Sequence, residues 1–181
     1  MSRQGGVRTI GKLTFHIAGP GIVIYSPFAM AHVAPGTNFL EESLTELEDV
    51  GELVRAGQLA GFNMGSPGTY HLTLMLGTLD VPTIARYPWW IELSLEARGE
   101  TVCVRDLFDF SHWRPECPAD QTFTTPDSCY RVMAGTRPSD SAIVGDDQDI
   151  MVVFEPVSEL PTLTWHSVPF LGDESAFGDE D

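Results

Sequence analysis

The sequence predicts a mainly β fold, an antiparallel β-sandwich with one amphipathic helix inserted at about residues 39–56. Three observations carry this expectation. Short runs of apolar residues alternate with polar ones, the period-two pattern of half-buried strands. Gly and Pro, 17 and 13 of the 181 residues, punctuate those runs as turns. One stretch only shows helical spacing, whereas a βαβ architecture would need a helix between successive strands. With 43% hydrophobic residues the chain can bury a core, and its length suits a single β-rich domain, expected over 1–171 with an acidic tail over 172–181.

The elements follow in order. Thr9 to Ile17 alternates as a strand, and Gly19-Pro20-Gly21 turns it into a second, wholly apolar strand, Ile22 to Tyr25, which Pro27 ends. Thr37 or Asn38 can cap the helix, and Gly57 can stop it. Leu40, Leu44, Leu47 and Val54 share one face of that helix. Glu41, Glu42, Glu46, Glu48, Asp49 and Glu52 take the other. Gly51 weakens its middle, costing up to about 1 kcal/mol relative to Ala. Gln58 to Asn63 is a short strand, Gly65-Ser66-Pro67-Gly68 a turn, and Tyr70 to Leu76 the next strand. Trp89 to Glu96 and Thr101 to Asp106 read as a hairpin about Arg98-Gly99-Glu100.

Ser111 to Asp127 reads as a long ordered loop, broken by Pro115, Pro118 and Pro126. Tyr130 to Ala134 and Ile150 to Glu155 form another strand pair, joined by a loop with Asp140, Asp146, Asp147 and Asp149. Leu163 to His166 can add a last short strand. The segments at Pro67–Leu74 and Pro126–Met133 echo one another: each runs turn, Tyr, then alternation, which places Tyr70 and Tyr130 at sheet corners.

Charge limits the functions open to the chain. The formal net charge is −16, and removing the five acids of the tail still leaves eleven net negative charges. Binding nucleic acid by neutralising phosphates requires a basic face, so that class is excluded. No Lys or Arg occurs from Leu13 to Val54, where the six helical acids fall. Such a field accelerates encounter with a cationic partner. Three cysteines cannot build a disulfide framework and fit a reducing compartment. Arg3, Arg8 and Lys12 precede an apolar region, yet His16 and the Gly19-Pro20-Gly21 turn interrupt it, so a signal peptide is not expected. No run approaches the ~18 apolar residues of a membrane span. A cytoplasmic protein is expected.

Catalytic and metal motifs are missing. There is no GxSxG, P-loop or GxGxxG, and the five histidines form no HxH or HExxH pair. His112, Cys117 and Cys129 match no zinc spacing, and the 140–149 loop lacks the glycine and closing glutamate of an EF-hand. Asp106 and Asp109 beside His112 could be paired carboxylates, but alternation with Phe108 and Phe110 explains them as acids out and aromatics in. No enzyme, metal or cofactor is expected. Trp89-Trp90 must point to opposite sides of a strand, so one of them can be an exposed interface anchor.

The strand Tyr130-Arg131-Val132, the polar linker after it, and the closing strand Met151 to Phe154 ending in Glu155-Pro156 resemble small β-rich bacterial inhibitor and immunity proteins of the competence protein J type. The resemblance covers the last third of the chain and implies a non-enzymatic protein that blocks a toxin or nuclease. The expected function is thus an acidic binding protein that neutralises a basic, nuclease-type toxin by occlusion. Its candidate contacts are the six helical acids, Trp89, Trp90, Asp140, Asp146, Asp147 and Asp149. Two other classes stay open: a sandwich that binds a small ligand or carbohydrate, with Trp113 or Trp165 as a stacking platform, and a structural subunit of a phage or secretion assembly.

Overall fold

Two β-sheets face one another in the structure, a computed structural model that describes residues 6–164 and 168–173. The first sheet has the order β1 (Arg8–Ile17), β4 (Gly68–Leu76), β9 (Gln148–Val157), β8 (Ser128–Thr136), β5 (Trp89–Ala97). The second runs β3 (Leu59–Asn63), β2 (Gly21–Tyr25), β6 (Thr101–Asp106), β7 (Thr122–Thr124). The alternation read from the sequence sets the register of the first sheet. Leu13 and Phe15 of β1, Leu72 and Leu74 of β4, Val132 of β8, and Val152 and Phe154 of β9 all point inward. They meet Ile22, Ile24, Phe62 and Val104 of the second sheet in one core. Each such side chain, fully buried, contributes about 1.5–3 kcal/mol.

The mainly β architecture is therefore as expected, with one departure from an antiparallel sandwich. β4 and β9 are parallel, Leu72 opposite Ile150. Parallel neighbours need a long crossover, and here about two-fifths of the chain lies between them.

β2 is apolar on both faces because both are covered. Its Val23 and Tyr25 point away from the main core into a second one, with Met30, Phe39, Cys103, Phe110 and Trp113. This second core is roofed by the short 3-10 helices Pro27–Met30 and Leu107–His112 and by helix α1 (Phe39–Ser43). Tyr25, Phe110 and Trp113 stack there with ring centroids 5.3–5.8 Å apart.

The single helix expected over 39–56 is two: α1 and α2 (Leu47–Arg55). Thr45 breaks it. Its hydroxyl donates back to the carbonyls of Leu40 and Glu41, competing with the next helical turn. The break rotates the apolar stripe. Phe39, Val50 and Val54 are buried, Leu40 and Leu44 are half-buried, and Leu47, expected inside, is 56% exposed. Glu41, Glu48 and Glu52 are exposed as expected.

The β5–β6 hairpin does not form. β5 pairs with β8 and β6 with β2, so the chain crosses between sheets at Arg98-Gly99-Glu100. Gly99 and Glu100 are both left-handed there, with φ of 72° and 53°. Buried Ser26 holds the corner: its hydroxyl lies 2.9 Å from the Arg98 carbonyl and 3.0 Å from that of Thr101. The loop expected over 111–127 contains the end of the 3-10 helix Leu107–His112, another at Ala119–Gln121, and the edge strand β7. Leu163 and Thr164 are not in a strand; Trp165 and His166 lie outside the described residues.

Tyr70 and Tyr130 occupy equivalent corners. Each hydroxyl donates to the carbonyl four residues earlier, Ser66 at 2.8 Å and Pro126 at 2.6 Å. Both lie where the chain leaves the second sheet for the first, before β4 and before β8. The sequence echo is thus the same solution applied at two crossings: a buried ring fills the corner while its hydroxyl satisfies a turn carbonyl.

Candidate functional site

The candidate residues separate into three places. The helical acids form the first. Glu41 and Glu42 lie in the first turn of α1, and Glu48 and Asp49 in that of α2, where the helix dipole favours anions. Asn38 and Glu41 cap α1 reciprocally: the Glu41 amide donates to Asn38 Oδ1 at 3.2 Å and Asn38 Nδ2 to Glu41 Oε2 at 2.8 Å. Helix starts thus account for four of the six acids. Glu42, Asp49 and Glu52 also line one open groove between the two helices.

The second place is the outer face of the first sheet, where Trp90 lies. The indole covers Gly135, at which a Cβ would come 2.6 Å from ring carbons. Its Nε1 donates to the Ile84 carbonyl at 3.0 Å, and Tyr87 packs edge-on with centroids 5.6 Å apart. Trp90 thereby pins the connection that carries α3 (Val81–Ile84) across the sheet.

The third place joins Trp89 to the aspartate loop. Trp89 points between the sheets, at the open end of the sandwich, and lines a cleft of about 330 Å³ with Met64, Ile143, Val144, Phe170 and Leu171. The lining is mostly apolar and, among the described residues, holds no Lys or Arg. Ile143 and Val144 stand at its edge, 63% and 49% exposed. Asp173 lines the cleft, Asp140 lies in sequence between the lining residues Ser139 and Ala142, and Asp146 is two residues after Val144. An apolar cleft with one lining acid, walled by a loop that carries further acids, is the result.

The loop that forms one wall is rigidly held. Gln148, buried at the start of β9, donates from Nε2 to Thr136 Oγ1 at 2.9 Å and accepts from the Gly145 amide at 3.1 Å. Thr136 donates onward to the Asp149 carbonyl at 2.7 Å. The Gly145 carbonyl accepts from Thr69 at 2.7 Å, joining the loop to the Tyr70 corner. Close approach requires glycine at this junction: a Cβ on Gly68 would lie 2.1 Å from the Gly145 oxygen. Ala142 and Asp147 take left-handed φ values of 59° and 48°, a strain this anchoring maintains. Asp147 is 3.0 Å from His71 Nε2, and Asp149 pairs with Arg137. Asp149 is thus paired with a cation and Asp147 hydrogen-bonded within the chain, while Asp140 and Asp146 are exposed on the loop.

Sequence reasoning brought Trp89 and the loop acids forward but missed Ile143 and Val144. The available signal was an apolar pair inside an otherwise polar turn. Asp106 and Asp109 are not a catalytic pair. Asp106 accepts from the backbone amides of Ala18, Gly19 and Phe108, fastening the β1–β2 turn to the end of β6. Asp109 accepts from Arg105 Nε at 3.3 Å. Phe108, expected inside, is exposed because a 3-10 helix replaces the strand alternation there. Trp113 is fully buried in the second core and offers no stacking platform, and Trp165 lies outside the described residues. Among the described residues no cluster of His, Cys, Asp and Glu could hold a metal ion, and no helix is long and apolar enough to cross a membrane.

The chain matches no protein-family model and no curated protein sequence. In fold it is similar to the crystal structure of ComJ, inhibitor of the DNA degrading activity of NucA, from Bacillus subtilis. That match has a TM-score of 0.53 and 10% identity, covering 84% of this chain and 100% of that one. It is also similar to the structure titled Crocagin biosynthetic gene J, with a TM-score of 0.57, 11% identity, and coverage of 83% and 98%. The likeness read in the last third of the sequence thus extends, as a likeness of fold, over most of the chain.

Proposed function

We propose that this protein is a non-enzymatic inhibitor of the immunity type, which occludes a basic protein partner, a bacterial nuclease, in the cytoplasm. The cleft at the open end of the sandwich carries the reading. Trp89, Ile143 and Val144 supply area that a partner can desolvate, Asp173 lines the same cleft, and Asp140 and Asp146 are exposed on the loop that walls it. Hot spots concentrate in such apolar centres, while rim charges set encounter rate and orientation. Against a nuclease, the carboxylates stand where substrate phosphates would lie, and the anchors hold them in place. The fold shared with an inhibitor of a DNA-degrading activity supports this choice of partner. The helical groove, with Glu42, Asp49 and Glu52, provides a further acidic face for steering.

The test is capture from the source cells at low salt, followed by an assay of DNA degradation by the captured protein, free and bound. A basic protein whose nuclease activity falls at stoichiometric addition supports the reading. A captured partner with unchanged activity sinks the inhibitor role. A second reading is binding of a small ligand, since the cleft volume lies at the lower end of small-molecule sites. Saturable quenching of Trp89 fluorescence by a metabolite or sugar, lost in Trp89→Phe, would favour it.

A further inference from the structure

The second core holds chemistry that the proposed partner surface does not use. Cys103 lies on β6 with its side chain in that core, directly opposite Tyr25 of β2 and Thr122 of β7. Its sulfur is 4.0 Å from Thr122 Oγ1. Cys117 sits in the turn between the 3-10 helices, packed on the same core, and its thiol lies 3.6 Å from the Gln121 carbonyl. Gln121 and Thr122 are adjacent in the chain, so the two sulfurs lie beside the same pair of residues, near enough for each thiol to perturb the other. Cys103 is buried and Cys117 half-buried, so only the second has access from solvent. Cys129 is on β8 of the other sheet, paired with Glu96 and Val157.

We propose that Cys103 and Cys117 form a redox-active dithiol, closed to a disulfide by exchange with a low-molecular-weight disulfide of the glutathione class. The electrostatics assign the roles. The hydrogen bond from Cys103 lowers the Cys117 thiol to about 6 against the opposing effect of burial, and Thr122 and the Arg105 guanidinium act in the same direction. Arg105 is itself buried and held by Asp109 and by the Arg114 carbonyl, so its charge is fixed in place. The contact with Cys117, together with burial, pushes Cys103 up. The shift favours the thiolate at Cys117, which is the nucleophilic form.

The chemistry balances as two exchanges. The Cys117 thiolate attacks one sulfur of oxidised glutathione, forming a mixed disulfide and expelling one glutathione thiolate. The negative charge that held the Cys103 proton is then gone. Cys103 loses its proton to the expelled thiolate and attacks the Cys117 sulfur, and the second glutathione leaves as the thiolate, which takes a proton from water. Two protein thiols are oxidised and one small disulfide is reduced to two thiols. The bridge would fasten the 107–117 segment, with Phe110 and Trp113, to β6.

The whole protein is incubated with oxidised glutathione at pH 7, quenched with iodoacetamide, and read by intact mass and peptide mapping. The expected product has lost two hydrogens, links Cys103 to Cys117, and carries the alkyl label on Cys129 alone. Cys103→Ser should stop at a glutathione adduct on Cys117, and Cys117→Ser should yield neither product. In the unoxidised protein, alkylation of Cys117 should be half-maximal near pH 6. Three alkylated thiols after oxidation, a bridge to Cys129, or a Cys117→Ser protein that reacts like the wild type would overturn the proposal. The outcome does not depend on the partner reading.

Discussion

Replacing Gln148 by leucine removes the side chain that ties the cleft wall to the sheet while nearly preserving its volume. Two hydrogen bonds are lost, one to Thr136 and one from the Gly145 amide. Thr136 keeps its own donation to the Asp149 carbonyl, so only a lone pair goes unmet there. The Gly145 amide is half-buried, and water can partly replace the lost acceptor. Each bond is worth about 0.5–1.5 kcal/mol net, so the expected loss of stability is about 1–2.5 kcal/mol. Gln148→Glu should cost more, about 2–4 kcal/mol, because it buries a charge beside Asp147 and Asp149 with no added cation. Urea denaturation measures both, with the slope unchanged. Amide exchange at Gly145 and Thr69 should quicken in each variant, since those groups close the network. Loss below about 0.5 kcal/mol in Gln148→Leu, with exchange at both amides unchanged, would refute the claim that this network holds the loop.

Asp106→Ala strips three backbone amides of their acceptor and should cost about 2–4 kcal/mol in the same assay, whereas Asp109→Ala, which takes a half-exposed partner from buried Arg105 but leaves it the Arg114 carbonyl, should cost about 1–2 kcal/mol. Truncation after Gly172 should leave the melting temperature within a few degrees, because the sequence beyond it holds too little apolar surface to offset its ordering entropy; a large drop would assign Phe177 to the core. Changing Glu41, Glu48 and Glu52 together to glutamine should slow association with a basic partner and weaken its salt dependence, and stopped-flow traces unchanged in rate would remove this face from the account.

Local pattern decided much of the fold. Alternation in β1, β4, β8 and β9 names the inward residues correctly, because a one-residue slip would turn every one of them to solvent. What it could not show was which strands share a sheet. Arg98-Gly99-Glu100 has the composition of a hairpin turn; the chain crosses sheets there because Ser26, over seventy residues away, holds both carbonyls. The helix break was hidden in the same way. Leu40, Leu44 and Leu47 continue at helical spacing through Thr45, and only that hydroxyl's choice of carbonyl ends the turn. β7 is three residues long and exists by pairing with β6. The cleft draws Met64, Trp89, Ile143 and Phe170 from four separate segments, so no window of sequence contains it. Its acids were legible as composition, its apolar floor was not.

The proposed inhibitor role requires the apolar edge of this cleft to make the contact that silences a partner nuclease. Ile143→Asp with Val144→Asp places charge at two exposed positions, where folding should be little affected. DNA degradation by the captured partner, titrated with wild-type and double-variant protein, tests it directly. The wild type should inhibit stoichiometrically and the variant at least about tenfold more weakly, the loss of roughly one anchor residue at 1.4 kcal/mol or more. Equal inhibition by the two proteins, with the variant folded by circular dichroism, would contradict it.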